Sequence, residues 1–442
     1  MVARPEVSLD AALVEPLSPA VVLPASLTRA ERRWLVCFAA CLLITPFIGS
    51  KWRVGWPLAR DGDQPHYLVM LNSLLEDGDL DLGNNYVASR SGSLDAGRSW
   101  AGKSLDNHTC WWLDGKRIDW HDVHEPPPGV AERPVHPAGL PAMLALLVWP
   151  LRGTPYIEAA AVLLIALATM AAMLLFHGLI RAWTGTTGLA LAVTGTTFLG
   201  TPLWRYSRSI FTEAPLALCA IGAAYFILRR RNGWAAGGFV AAGISMKPPF
   251  LLIAIPLAAF LFIRKDRRSL LALAVPCVAA TAGTLAMSAI LYGSPWRSPQ
   301  PFYTGNPIVG ALGLLFETRH GLLFAAPVAL CAVIGWPALW RRRPVESAVL
   351  LGAAGLWYAL IACWRGWDGS ACYGPRLIVP ILPFVMAGLL GLDVSRPWIR
   401  RVAVTLGVIS IGLNFVAASG WSGVTDESWV QAVMWEIHPK HR

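Results

Sequence analysis

The stretch Ala138-Gly139-Leu140-Pro141-Ala142-Met143-Leu144-Ala145-Leu146-Leu147-Val148-Trp149-Pro150-Leu151 decides the topology of this chain. It is apolar, but it is short and contains Pro141 and Pro150. At a rise of about 1.5 Å per residue, a helix of about 14 residues falls well short of the roughly 30 Å hydrocarbon core of a bilayer. The stretch therefore reads as a surface-lying or re-entrant helix, not a span. Counting it as a span would invert the sidedness of every later loop.

Those loops supply the check. Basic residues cluster at Arg29/Arg32/Arg33, Arg229/Arg230/Arg231, Arg264/Lys265/Arg267/Arg268, Arg341/Arg342/Arg343 and Arg396/Arg400/Arg401. Each cluster ends an apolar run, and about two runs separate one cluster from the next, which is the positive-inside pattern. With the short stretch excluded, all five clusters fall on one side. The predicted spans are 34–48, 157–180, 187–203, 213–228, 233–247, 249–263, 270–292, 321–340, 345–363, 376–392 and 402–419. The expected fold class is thus an all-α polytopic membrane protein, a bundle of about eleven transmembrane helices with surface-lying helices in a long first outer loop. Residues 1–33 form a cytosolic tail, 34–419 the transmembrane domain, 51–155 the outer loop and 420–442 a short outer tail. The expected location is the inner (cytoplasmic) membrane, with the working face outward.

Composition agrees with this layout. Of the 442 residues, 55% are hydrophobic and only 14% charged, and the mean hydropathy is +0.50. A soluble domain carries about 25% charged residues. A soluble enzyme, a disordered chain and a small disulfide scaffold are therefore excluded. Apolar runs that are continuous instead of alternating argue against a β-barrel. The formal net charge of +10 resides in the loop clusters and not on one basic face, so nucleic acid is not an expected partner. The segment before the first apolar run contains Glu31, Arg32 and Arg33, and no small-residue cleavage site follows, so the first span reads as a retained anchor. Cys37, Cys41, Cys219, Cys277 and Cys331 read as small core residues. Cys110, Cys363 and Cys372 lie in or beside exposed segments, and no spacing fixes a pairing of Cys110 with either of the others.

The polar residues that could carry chemistry all fall on the outer side. Asp61-Gly62-Asp63-Gln64-Pro65-His66-Tyr67 follows the first span. Pro65 suits the first turn of a helix and Asp63 its N-cap, where free backbone N–H groups keep a carboxylate ionised, as a general base must be. A plain capping aspartate is the bland alternative. Glu76-Asp77-Gly78-Asp79-Leu80-Asp81 resembles a calcium loop but fails the EF-hand pattern: Leu82 stands where Gly is needed and Ala88 where Glu is needed. It reads as a polar turn. Val135-His136-Pro137 enters the short apolar helix. Trp204-Arg205-Tyr206-Ser207-Arg208 precedes Glu213, which opens an apolar run. An ionisable group there is a functional candidate, with capping as its plainer role. Lys247 in Ser245-Met246-Lys247-Pro248-Pro249 ends a span and could simply snorkel. Glu317-Thr318-Arg319-His320-Gly321 and Tyr373-Gly374-Pro375-Arg376 complete the set. Cations grouped at a membrane surface suit a phosphate, and nearby carboxylates suit removal of a hydroxyl proton. A lipid phosphate as leaving group and a hydroxyl as nucleophile together define glycosyl transfer from a lipid carrier.

In the order and approximate spacing of these motifs over residues 34 to about 390, the chain resembles the GT-C superfamily of polytopic glycosyltransferases, and within it the protein O-mannosyltransferase and lipid A aminoarabinose transferase branch. That branch has an Asp-Glu pair early in its first outer loop, matched here by Asp63-Gln64. Its His/Lys-Pro-Pro segment is similar to His136-Pro137, and its Ser-Arg stretch before an acid to Ser207-Arg208 with Glu213. Its Lys-x-Pro is matched by Lys247-Pro248-Pro249 and its late Gly-x-Arg by Gly374-Pro375-Arg376. Two departures stand out: Gln64 replaces the acidic partner, and Glu213 stands where an aspartate is usual. After the last predicted span, the large C-terminal domain of some branches is not expected.

The resemblance implies a polyprenyl-phosphate sugar as donor, a protein or glycan hydroxyl as acceptor, and membrane lipids as surroundings. Asp63 would be the catalytic base. Lys247, Arg319, His320 and Arg376 would hold the donor phosphate. Glu213, Arg205, Arg208, His136, His66, Tyr67 and Asp61 would support the base or bind substrate. No metal ligand is assigned; a divalent cation, Mg2+ or Mn2+, stays open as a cofactor. The sugar is also open, since a pentose such as arabinofuranose or a hexose fits. A transporter or flippase of a lipid-linked sugar is the alternative. Such proteins often show inverted repeats and polar groups at the midplane, and no repeat is evident here.

Overall fold

The computed structural model describes residues 27–45, 62–91, 107–154, 156–369 and 372–419. The helices, in chain order, are α1 (Arg29–Ile44), α2 (Gln64–Glu76), α3 (Gly83–Ser91), α4 (Gly139–Val148), α5 (Ile157–Thr184), α6 (Thr187–Leu199), α7 (Glu213–Tyr225), α8 (Gly233–Met246), α9 (Ala254–Ile263), α10 (Arg267–Tyr292), α11 (Pro307–Phe316), α12 (Ala329–Arg342), α13 (Pro344–Cys363) and α14 (Pro397–Ser419). Among the described residues, α5, α10, α13 and α14 are each long and apolar enough to cross a membrane. The other predicted spans fall on shorter or interrupted helices. Asp61, part of the first span's expected end and the C-terminal tail lie outside the described residues.

Local chemistry explains many of the boundaries. Thr28 and Glu31 form a reciprocal capping box at the start of α1, which satisfies two of its free N–H groups. Asn232 caps α8, Asp266 caps α10 and Asn306 caps α11. The run predicted over 321–340 is interrupted, because Pro327 has no N–H to continue a helix. It becomes a single turn, Leu322–Ala325, followed by α12. The run predicted over 376–392 contains Pro380 and Pro383. It alternates 3-10 and α turns, Arg376–Ile381, Leu382–Met386 and Ala387–Gly391. Residues 377–391 are buried except for Val385, against α7, α12 and α13.

The decisive stretch forms α4, extended by a 3-10 turn at Trp149–Leu151. Leu140, Leu144, Ala145 and Val148 are buried, whereas Leu146, Leu147 and Trp149 are exposed. One apolar face therefore packs on α2 and the other is open, as in a helix lying at an apolar surface. Gly139 permits this packing: a Cβ there would stand 2.0 Å from the Ser245 carbonyl oxygen, near the end of α8.

The fold is not purely α. Strands β1 (Thr109–Leu113), β2 (Lys116–Asp119) and β3 (Arg133–Pro134) form a small antiparallel sheet in the order β2-β1-β3. The hairpin turns at Asp114-Gly115, both with positive φ, the signature of a two-residue turn that matches strand twist. β1 also pairs with β3, with Thr109 opposite Pro134 and Cys110 opposite Arg133. All eight cysteines are free.

The basic clusters share one end of the bundle. Ser269 Oγ donates to the Arg231 carbonyl at 3.4 Å, and Arg229 feels the charges of Arg343 and Glu346. Arg342 reaches the Leu390 carbonyl. Glu31 of α1 pairs with Arg181 near the end of α5, one turn from where Gly178 meets Tyr225 of α7. The opposite end, where α7 begins and where α8, α10 and α13 finish, carries the site.

Candidate active site

Gly62 takes φ +57, a left-handed conformation open to glycine at little cost. The next residue, Asp63, is the N-cap of α2, yet its side chain makes no capping hydrogen bond. It points away instead. Oδ2 accepts from Arg376 Nη1 at 3.0 Å, and Oδ1 lies 3.5 Å from His136 Nε2. A full cation is a stronger partner than the backbone dipoles expected to hold it. Burial pushes the Asp63 carboxyl up, but the adjacent His136 and Arg376 outweigh it and hold it well below the usual carboxylate range. Asp63 is thus an ionised carboxylate.

Arg376 also reaches Glu213, Nε to Oε1 at 3.8 Å, and its guanidinium lies 4.8 Å over the Phe211 ring. Lys247, at the C-cap of α8, donates to the same Glu213 oxygen at 3.1 Å. Glu213 is 2% exposed, and its second oxygen has no hydrogen-bond partner among the described residues. The result is an alternating row, His136–Asp63–Arg376–Glu213–Lys247, drawn from well-separated parts of the chain. Tyr67 stacks on His136 at 5.3 Å. A guanidinium has five N–H donors and an ammonium three, so Arg376 and Lys247 retain donors for a further anion.

This row closes one end of a cavity of about 750 Å³. Farther in, the walls are apolar: Ala280, Gly283 and Met287 of α10 face Leu360 and Ile361 of α13. Both helices are long enough to span a membrane. The loop after α10 contributes Arg297, whose Nη1 donates to the Tyr292 carbonyl and whose guanidinium sits over Trp112.

Of the residues singled out in the sequence, Asp63, Tyr67, His136, Glu213, Lys247 and Arg376 meet on this wall. The others sit elsewhere. Arg205 donates to Ser209, and Arg208 donates to the Ala418 carbonyl of α14. Both are buried away from the cavity lining. His66 shares a 2.7 Å hydrogen bond with Tyr86, behind Asp63. Arg319 and His320 lie in a turn organised by Glu317, whose Oε2 accepts from both backbone N–H groups and from His320 Nδ1. Neither lines the cavity. Gln64 anchors α2 by accepting from the Ile210 backbone N–H at 3.0 Å. The aspartate-rich turn is a hydrogen-bonded connector, in which Asp77 accepts from Asn84 and Asn85 and Asp79 accepts from Ser73 and the Asp81 N–H.

Two residues escaped sequence reading. Arg297 follows the last span residues in a proline-rich loop, and only its neighbour Trp296 hints at an interface. His108 is isolated in sequence, but the β1–β3 register sets it against Val135 and brings its Nδ1 to 3.2 Å from His136 Nε2. Asp63, His108 and His136 then offer ligand atoms within 4.8 Å of one another.

Fold and site together define a helical membrane protein with an ionised carboxylate and two cations at the mouth of an apolar cavity. Among solved structures, the apo crystal structure of ArnT from Cupriavidus metallidurans is similar to it, with a TM-score of 0.53 and 16% sequence identity over 88% of this chain. The match covers 64% of the ArnT chain, so this protein spans less than two thirds of that one. At this identity the likeness is one of fold alone. No family model and no curated protein matches the chain.

Proposed function

We propose that this chain is an inverting glycosyltransferase of the GT-C type. It moves a monosaccharide from a polyprenyl-phosphate carrier to a hydroxyl of a protein or glycan, on the outer face of the cytoplasmic membrane. The observation that carries the reading is the join between the Asp63–Arg376–Glu213–Lys247 row and a cavity walled by two helices long enough to span. A polyprenyl tail fits the apolar part, and its phosphate fits the cations. The fold likeness to ArnT, a lipid A aminoarabinose transferase, supports the same class. The shared end of the basic clusters supports a cytosolic N-terminus and an outward site.

Asp63 takes the proton from the acceptor hydroxyl as that oxygen attacks the anomeric carbon. The glycosyl–phosphate bond breaks with inversion, and the electron pair leaves on the lipid phosphate. Lys247 and Arg376 stabilise that charge from fixed positions, which is often the largest catalytic term. Glu213 keeps both cations in place. Arg319 and His320, which do not line the cavity, have no role in this scheme.

The test is transfer in membranes supplied with labelled polyprenyl-phosphate sugar. Wild-type protein moves label from lipid to a non-lipid acceptor, and Asp63→Asn, inserted at normal level, does not. Full transfer by that variant refutes the base. Movement of label across the bilayer without transfer places the chain among flippases.

A further inference from the structure

The geometry points to a transition-metal site formed by Asp63, His108 and His136, of the kind that prefers Zn2+ to Mg2+. His136 Nε2 is 3.2 Å from His108 Nδ1 and 3.5 Å from Asp63 Oδ1. Ligand atoms around a tetrahedral zinc stand about 2.0–2.2 Å from the ion, which sets their mutual separation at about 3.3 Å. Two edges of the triangle already have that length, and all three ligand atoms lie within 4.8 Å of one another. The carboxylate is divided in a way that suits an ion. Oδ2 is taken by Arg376, while Oδ1 lies beside the His136 ring. Two imidazoles and one carboxylate form a donor set for zinc, whereas Mg2+ favours oxygen and water.

Ring packing restrains the two histidines. The His136 ring is stacked on Tyr67 at 5.3 Å. The His108 ring packs edge-on against His66 at 4.4 Å, and His66 is fixed by Tyr86. The sheet register, set by backbone pairing, holds His108 in place. Asp63 and His136 line the cavity and His108 stands behind them. Three protein ligands leave a position open, the arrangement of reactive sites as opposed to closed structural ones. With Oδ1 on an ion and Oδ2 on Arg376, Asp63 would serve as ligand and not as base in the metal-loaded protein, and the ion would itself acidify an oxygen bound beside it.

The site rests on ligand geometry and not on the transfer reaction, so its test reads metal. Full-length protein without a polyhistidine tag is purified in detergent free of chelator. Metal content is measured by mass spectrometry, and binding of Zn2+, Co2+ and Mg2+ by calorimetry and Co2+ absorption. One Zn2+ per chain is expected, with Mg2+ far weaker. His108→Ala and His136→Ala should each weaken Zn2+ by more than the roughly 10–100-fold that loss of an outer-shell partner costs. His121→Ala, a nearby exposed histidine 6.2 Å from the His108 ring, should leave affinity unchanged. His108→Gln serves where the alanine variant fails to fold. Absence of Zn2+ binding, equal binding of Mg2+, or unchanged affinity in the His108 and His136 variants overturns the site.

Discussion

Asp63 shows how a single side chain is committed by its partners. At the N-cap of α2 it could have satisfied backbone N–H groups, but it faces Arg376 and His136. Asp63→Asn keeps the shape and removes the charge. Transfer should fall by about 10²–10⁴-fold, the usual worth of a positioned base, with near-normal expression and a modest fall in melting temperature, because Arg376 loses one carboxylate and keeps Glu213. Arg376→Ala differs in kind, because it strips two carboxylates of a buried cation. Loss of one partner from a buried pair costs about 3–5 kcal/mol, so a lower melting temperature should accompany lost donor binding. Lys247→Ala should lose donor binding with less destabilisation, because it strips one carboxylate and not two, and Glu213 keeps Arg376. Equal melting losses in the two variants would contradict this ranking. These residues were legible in the sequence because a charge at the end of an apolar run is anomalous on its own. His108 was not, since its place depends on pairing with a strand about two dozen residues later.

Elements differ in how much of their form is local. The length of α4 and its two prolines argue against a span, and the helix is there with one buried face. The Asp114-Gly115 hairpin also had a local signal, yet an all-α reading left no room for it. α11 was unread because its short apolar run lies between loops, and only the Asn306-Pro307 start announces it. Arg376–Gly391 read as a span by hydropathy, which is blind to what Pro380 and Pro383 do to the backbone. Two predictions belong at this scale. Gly139→Val should force α4 away from the Ser245 carbonyl and cost about 1–3 kcal/mol, measured by thermal unfolding, with donor affinity falling because Lys247 lies two residues on. In the turn before Leu322–Ala325, burial raises the Glu317 carboxyl, but N–H bonds from His320 and Arg319 hold it below its ordinary value. Its contribution is therefore present above about pH 4.5 and lost as pH falls through the lower folded value. The melting difference between wild type and Glu317→Gln should be clear at neutral pH and close on the acid side. A gap that widens in acid would contradict it.

For the whole molecule, the proposed function makes the cavity the link between chemistry and bilayer. Its apolar walls belong to α10 and α13, and Gly283 has open space where a Cβ would stand. Gly283→Phe should fill part of that space. It should raise KM for long-chain donors more than for short-chain ones, with little change in kcat on the short donor. An equal rise for both would separate the tail from this cavity. The bundle as a whole was readable because apolar length and basic clustering are properties of composition. The meeting of its parts was not, because it depends on packing between helices far apart in sequence.

The Asp63–Arg376 pair joins positions 313 residues apart. During synthesis, the carboxylate would emerge long before the cation that steadies it. A nascent chain would therefore complete insertion of most of its helices while still inert, and competence would arrive only as the final quarter docks.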